Sequence, residues 1–267
     1  FRAKGGVLLD RPFGAMKWFG YFPGNERKQM PDFLPLIVLN EGDTGMPVAI
    51  MDGAWISAMR TGSITAVAAK YMARPDSKTV GFIACGTQAR SNLDALLPLF
   101  PLERLVAYSR RKSTAAAFAE EVRKRGLSAI VARHPREAVE NLDIVVSSVP
   151  HHSTEPPALD GRWVSPGTFV SMVDLGFGWK KDTLGAFDRV VTDDLEQSGP
   201  AGSEKLNFDG TYDGEIADLV AGRRPGRERE TERNALIFAG TGLADTAAAA
   251  AIYQEAISRG LGRLLPL

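Results

Sequence analysis

Residues 78 to 89 read Lys-Thr-Val-Gly-Phe-Ile-Ala-Cys-Gly-Thr-Gln-Ala. A short apolar run, Val80 to Ile83, gives way to small residues at Ala84, Cys85 and Gly86, and a stretch of helical character follows from Gln88 to Leu97. A strand that turns sharply into a helix can hold a diphosphate. Small residues let the backbone approach the phosphates, and the N–H groups at the helix start face the negative charge. Ala84, Gly86 and Ala89 take the places of the three small residues in Gly-x-Gly-x-x-Gly/Ala, and an alanine at the first place requires a negative φ. Thr87 and Gln88 then open the helix beside the diphosphate. The chemistry implied is binding of NAD or NADP and hydride transfer. An ordinary strand-to-helix turn shares this outline, so the surroundings must discriminate.

About twenty residues further on, such a fold ends its second strand at the residue that reads the adenosine ribose. Leu105 to Tyr108 is that strand, and Ser109-Arg110-Arg111-Lys112 follows it. An acid there would bind the 2′-hydroxyl. A hydroxyl at Ser109 beside the guanidinium groups of Arg110 and Arg111 suits a 2′-phosphate instead, which favours NADP with NAD as the alternative. The competing reading makes both arginines solvated loop charges.

Around these residues the pattern alternates. Strands are predicted at Val80–Ala84, Leu105–Tyr108, Ala129–Val131, Ile144–Ser147, Thr168–Val173 and Arg189–Thr192, with helices at Gln88–Leu97, Ser113–Arg125 and Pro135–Leu142 between the first of them. That order predicts an α/β fold, a Rossmann-type parallel sheet with helices on both faces. Upstream, Phe33–Asn40 and Pro47–Met51 read as a hairpin and Ser57–Met72 as a helix. Beyond Ser198 a loop region precedes helices at Glu215–Ala221 and Ala244–Arg259. The expected division is a Rossmann domain over 61–199 and a discontinuous α+β domain built from 1–60 with 200–267.

Composition narrows the classes. The 267 residues carry 44% hydrophobic and 24% charged side chains and a formal net charge of +0. No global field draws the chain to nucleic acid or to acidic membranes, and no run is long enough to span a bilayer. Cytoplasmic location is the expectation. A single cysteine, Cys85, excludes an intramolecular disulfide, and His134 with the adjacent pair His151-His152 makes no convincing metal site. The start at Phe1, without Met, suggests missing N-terminal sequence.

Five segments, in order, resemble the ornithine cyclodeaminase/mu-crystallin family. They are Met16-Lys17-Trp18-Phe19-Gly20-Tyr21-Phe22-Pro23-Gly24-Asn25; Leu39-Asn40 with Thr44-Gly45-Met46-Pro47; Arg60-Thr61-Gly62-Ser63; Gly214-Glu215-Ile216 with Gly222-Arg223-Arg224-Pro225-Gly226-Arg227; and Gly240-Thr241-Gly242-Leu243-Ala244-Asp245. The resemblance implies a homodimer whose two chain ends build the substrate and dimerisation domain, an active site between that domain and the Rossmann domain, and a small α-amino or α-imino acid as substrate. Lys17 and Arg60 match the positions that hold the substrate carboxylate, where a fork and an ammonium can aim the α-carbon at nicotinamide. Ser148 and Val149 match the loop beside the nicotinamide ribose. Met172, Val173 and Lys180 follow along the nucleotide. Gly240 and Thr241 match a loop near nicotinamide and substrate, although Thr241 could equally be a helix N-cap.

One departure bears on the reaction. Cyclodeaminases of the family carry an aspartate in a Gly-Asp-x-Pro-Gly-Lys context. Aligning Lys180 with that lysine puts Gly176 at the acid's place, with Asp174 two residues earlier. Asp174 either does equivalent proton work or caps a strand end. An imine reductase needs less acid–base help than a cyclodeaminase, so the expected activity is hydride transfer between NADPH and an imino or amino acid. Cyclodeamination with recycled NAD is the alternative. A crystallin-like nucleotide-binding protein with little catalysis is the rival of another class.

Overall fold

In the computed structural model of the chain, which describes residues 1–10, 12–150, 156–199 and 205–265, alternation writes the first sheet. Ala15, Lys17, Ile37 and Leu39 are buried, while Met16, Trp18, Leu34, Leu36 and Ile50 between and beside them are exposed. That period of two makes one face of an antiparallel sheet a core face and leaves the other outward. The strands are β1 (Arg2–Leu8), β2 (Phe13–Tyr21), β3 (Phe33–Glu41) and β4 (Pro47–Asp52), paired in chain order. β1 and β2 add two strands ahead of the hairpin read from the sequence.

The chain divides into two compact units, residues 1–60 with 240–267 and residues 61–239, and the boundary falls inside helix α1 (Gly53–Met72). In the first unit the core face meets α6 (Gly242–Ser258), with Ala249 and Ala250 against Ile37 and Leu39. Backbone touches backbone where α6 starts. A Cβ on Gly242 would lie 2.1 Å from the Gly5 carbonyl oxygen, and one on Gly6 would lie 2.5 Å from the Leu243 nitrogen. The Thr246 hydroxyl completes the seam by donating to the Gly6 and Gly242 carbonyls at 3.1 and 2.9 Å.

The second unit holds β5 (Thr79–Ile83), α2 (Thr87–Leu96), β6 (Arg104–Tyr108), α3 (Lys112–Lys124), β7 (Ser128–Val131), β8 (Ile144–Ser147), β9 (Phe169–Met172), β10 (Arg189–Thr192), α4 (Leu195–Ser198), β11 (Gly214–Glu215), α5 (Ile216–Val220) and β12 (Asn234–Ile237). Its strands form one parallel sheet of eight, ordered β11-β10-β12-β9-β8-β5-β6-β7. The order reverses between β5 and β8, the switch point where such sheets bind ligands. Apolar residues face both ways, so both faces are covered. Val80, Phe82, Ile144 and Val146 pack with residues of α1, α2 and α3, and Val145, Val170 and Ile237 pack with Ala138, Trp179 and Leu184.

Three expectations are corrected. The helix expected over Pro135–Leu142 is a 3₁₀ turn, Pro135–Ala138, so helices α1 to α3 cover one face and short turns and loops the other. The turn lies directly on β5, where a Cβ on Gly81 would come 2.1 Å from the Ala138 carbonyl oxygen. The region after Ser198 is not confined to loop and helices, since β12 sits between β10 and β9 in the middle of the sheet. For the same reason the expected boundary at 199/200 gives way to one at 239/240. The arginine-rich segment before β12 is a clip. Arg227 donates to the carbonyls of Met72, Glu232 and Gly167 at 2.9, 2.8 and 3.1 Å, and Gly226 lets it close on the end of α1. No helix among the described residues is long and apolar enough to cross a membrane.

The seam under α6 yields a paired test. Gly242→Ala should lower stability by about 1–3 kcal/mol, because the overlap is with backbone that cannot turn aside. Gly86→Ala, where a Cβ meets nothing within 4 Å and φ is −88°, should change stability by less than about 0.5 kcal/mol. Thermal or urea melts of both variants check this.

Candidate active site

The turn after β5 is laced from below. The Ala84 N–H donates to the Tyr108 carbonyl and the Cys85 N–H to the Ser109 hydroxyl, each at 2.8 Å. Arg90 donates from Nη1 to the carbonyls of Cys85 and Gly86, both at 3.0 Å, while Nε and Nη2 fork onto Glu121 of α3 at 2.7 and 2.6 Å. The Arg90 pairing holds the Glu121 carboxyl below its ordinary range. Burial pushes the Cys85 thiol up to about 11, so it is an inert packing group.

One expectation about this turn fails. Ala84 has φ +67°, not the negative angle its Cβ should require. An alanine in this region costs about 1–2 kcal/mol, and the two hydrogen bonds on the peptides flanking it hold the conformation. Gly86 is the N-cap of α2 and offers no side-chain cap to the first-turn N–H groups. Its exposed position, ordinary φ and open surroundings mean that the protein's own packing does not demand glycine there. An unfilled space above uncapped helix N–H groups is the cradle a diphosphate fits. Thr87 is exposed and Gln88 half-buried at this helix start. Across the switch point, the Ser148 hydroxyl donates to the Ala84 carbonyl at 2.9 Å and its N–H to that of Ile83 at 3.0 Å. Arg110 and Arg111 are exposed at the end of β6, with Arg111 at the N-cap of α3.

The loop after β9 is built around Asp174. Its side chain is buried, and its oxygens accept from the N–H groups of Val149 at 3.3 Å and Gly176 at 3.2 Å and from the Ser147 hydroxyl. Ser147 in turn accepts from the indole N–H of fully buried Trp179 at 2.8 Å. Positive φ at Leu175 and Gly176 curls the loop, and a Cβ on Gly178 would lie 2.6 Å from Asp174 Oδ2. Burial outweighs these donors and raises the carboxyl to about 6. Two neighbours do not project as expected. Met172 is wholly buried in the core, because its strand is covered on both faces. Lys180 turns its ammonium to Asp160 at 3.6 Å and over the Trp163 ring at 5.9 Å. Val173 is half-buried and donates its N–H to the Ser147 carbonyl.

In the first unit, Lys17 and Arg60 converge on one acid. Lys17 Nζ lies 2.5 Å from Asp245 Oδ2, and Arg60 Nε donates to Asp245 Oδ1 at 2.9 Å. Lys17 and Asp245 are almost fully buried, and the Lys17 ammonium also lies 5.4 Å from the centre of the Phe19 ring. Lys4, directly opposite Lys17 in the β1–β2 ladder, donates to the Gly240 carbonyl at 2.9 Å. Burial first, then repulsion from Arg60, pushes the Lys17 ammonium down to about 8. Asp245 opposes that shift and Lys4 adds to it. Gly240 has φ +80°, and a Cβ there would lie 2.0 Å from Arg60 Nη1, so this glycine forms the wall of the guanidinium site. Thr241 is the N-cap of α6 and accepts from the Ala244 N–H at 3.3 Å. Sequence reasoning missed Lys4, Arg90 and the inward turn of Asp245. Pairing β1 with β2 would have found Lys4. His151 and His152 lie outside the described residues, and no group able to hold a metal occurs among those described.

Asp174→Asn should destabilise the protein by about 1–3 kcal/mol, because either amide orientation sets an NH₂ against an N–H donor. The wild-type carboxyl binds its proton more tightly folded than unfolded, so its stability contribution falls as pH rises from about 4 to 6. The gap between wild type and variant should therefore be wider at pH 5 than at pH 7.5, measured by urea unfolding.

Known proteins resemble this chain in sequence and fold. The family model of the ornithine cyclodeaminase/mu-crystallin family matches residues 8–260. An alanine dehydrogenase of Archaeoglobus fulgidus is 34% identical over 94% of this chain and 79% of its own length. An archaeal alanine dehydrogenase dimer with bound NAD superposes with a TM-score of 0.84 at 30% identity, covering 100% of this chain and 84% of that one. The Delta(1)-pyrroline-2-carboxylate reductase of Thermococcus litoralis, solved with NADH and L-proline, gives 0.83 at 29% identity over 98% and 90%. With its buried lysine–aspartate–arginine cluster and its switch-point turn, the chain belongs to the ornithine cyclodeaminase/mu-crystallin family.

Proposed function

We propose that the protein transfers hydride between a nicotinamide cofactor and a small α-imino or α-amino acid. The observation that carries this reading is the surplus of positive charge around Asp245. Lys17 and Arg60 both meet the one carboxylate of Asp245, two cations to one acid. A carboxylate is the ligand that balances such a cluster, and a forked guanidinium with an ammonium fixes its orientation. Residues 84 to 89 would hold the diphosphate, with Ser148 and Val149 beside the ribose. When bound, the nicotinamide supplies or accepts the hydride. Lys17 and Arg60 orient the substrate, and Asp174 acts by fixing the shape of the loop that carries it. The relatives named above, whose names are those of an amino-acid dehydrogenase and an imino-acid reductase, support this substrate class.

NADP is the proposed cofactor, although the two solved relatives hold NAD and NADH. β6 ends without an acid, and Arg110 and Arg111 stand at the start of α3, where the helix dipole favours negative charge. A 2′-phosphate would bring negative charge to that helix start, within reach of guanidinium donors. We further propose a homodimer through the outward face of the antiparallel sheet, where Met16, Trp18, Leu34, Leu36 and Ile50 form an exposed apolar surface.

Oxidation of NADPH at 340 nm with cyclic and linear imino acids should reveal turnover. Ammonia release from L-ornithine or L-lysine without net absorbance change would favour cyclodeamination, and NADPH binding without turnover of any candidate would favour a binding role. Arg110→Ala with Arg111→Ala should weaken NADPH by about 10–100-fold and NADH far less, and equal losses would defeat the NADP assignment. Binding and turnover should fall as pH rises past about 8, where Lys17 loses its proton. Leu36→Glu with Ile50→Glu should sediment as a monomer, whereas an unchanged dimer would place the interface elsewhere.

A further inference from the structure

We propose that Asp245 is a positioning residue, whose single carboxylate sets the spacing of Lys17 and Arg60 and keeps Lys17 protonated, so that the two cations grip one substrate carboxylate as a unit. The inference rests on the proposed substrate class and adds a residue with no direct role in it.

An acid near the start of a helix ordinarily serves the dipole, worth about 0.3–1 kcal/mol from an exposed position. Asp245 is 1% exposed. Burying a carboxylate costs more than the dipole returns, so its neighbours must account for it. One oxygen serves each cation: Oδ2 meets Lys17 Nζ and Oδ1 accepts from Arg60 Nε. Arg60 therefore commits its Nε edge to Asp245, and the Nη end lies toward Gly240. The charged groups around Lys17 come from every side: Arg60 on α1, Lys4 on β1 and Asp245 on α6. Among the described residues, Asp245 is the acid that meets it.

The carboxylate is itself held rigidly. Thr241 caps the helix four residues earlier, and the contact of Gly5 and Gly6 with Gly242 and Leu243 leaves the first turn of α6 no room to shift. Thr246, the next residue, is fastened to β1 through Gly6. A fixed carboxylate between two long, otherwise adaptable cations restricts their rotamers before substrate arrives, which lowers the entropic cost of binding.

Asp245→Asn is the test, with Asp245→Glu beside it. Lysine-13Cε NMR on the ligand-free protein, with Lys17 assigned by its loss in Lys17→Arg, should show the Lys17 midpoint falling by more than about one pH unit in the asparagine variant. The glutamate variant, which keeps the charge and moves it, should leave the midpoint within about half a unit. For turnover, both variants should raise KM for the amino or imino acid by about tenfold or more with kcat changed less than about threefold. The alkaline limb of kcat/KM should move to lower pH in the asparagine variant alone. An unchanged Lys17 midpoint in Asp245→Asn, or a wild-type KM in Asp245→Glu, overturns the proposal. If Asp245→Asn does not fold, the glutamate variant alone decides, through its KM. If the wild type turns over no amino or imino acid, the substrate reading fails, while the ligand-free titration still judges whether Asp245 governs Lys17.

Discussion

A lysine ammonium buried on a β-strand is tolerated only where a carboxylate meets it, and in this protein Asp245 is that carboxylate. The first unit is organised around this pairing. β2 must present Lys17 to the covered face, although it stands in an alternation otherwise filled by Ala15, Ile37 and Leu39. α6 must begin close enough for its first turn to reach the strand, which is why glycines meet at Gly5, Gly6 and Gly242. Arg60, reaching the same acid from α1, joins as a second cation, and Gly240 clears the space its guanidinium fills. Substituting any of these residues would disturb the others through the one carboxylate.

The parallel-sheet unit follows a different rule. Its strands are short and apolar on both faces, so the sheet is secured by burial, while polar groups cluster at the carboxyl ends of the strands. There Ser109, Ser147, Ser148 and Asp174 are each spent on backbone or side-chain donors and acceptors. The loops are therefore shaped before any ligand arrives. Ala84 in a left-handed conformation and the curl at Leu175 and Gly176 are the local costs of that shape.

Much of this was legible from residue order. The strand, turn and helix around Ala84 to Ala89 appeared where spacing put them, as did α1, α3 and the strands from β5 to β10. β12 is not legible from residue order, because three apolar residues, Ala235 to Ile237, after an arginine-rich stretch carry no periodicity, and only pairing with β9 and β10 identifies them. Residue order predicts a full helix where the chain makes a 3₁₀ turn at Pro135, since periodicity cannot show how little height the covered face of β5 allows. At the site, Lys17 and Arg60 could be singled out by motif. An alanine-rich helix has no distinguishable faces in one dimension, so the inward direction of Asp245 became visible only in three. The sign of φ at Ala84 is likewise set by hydrogen bonds from β6, some two dozen residues away in the chain.

Arg90 has an effect beyond bracing. Its guanidinium draws electron density toward the carbonyl oxygens of Cys85 and Gly86. Each of those peptide planes ends in an amide hydrogen at Gly86 or Thr87, so pulling on one end leaves the other more electropositive. A side chain on the underside of the bend thus sharpens the attraction for an anion above it without approaching the anion itself.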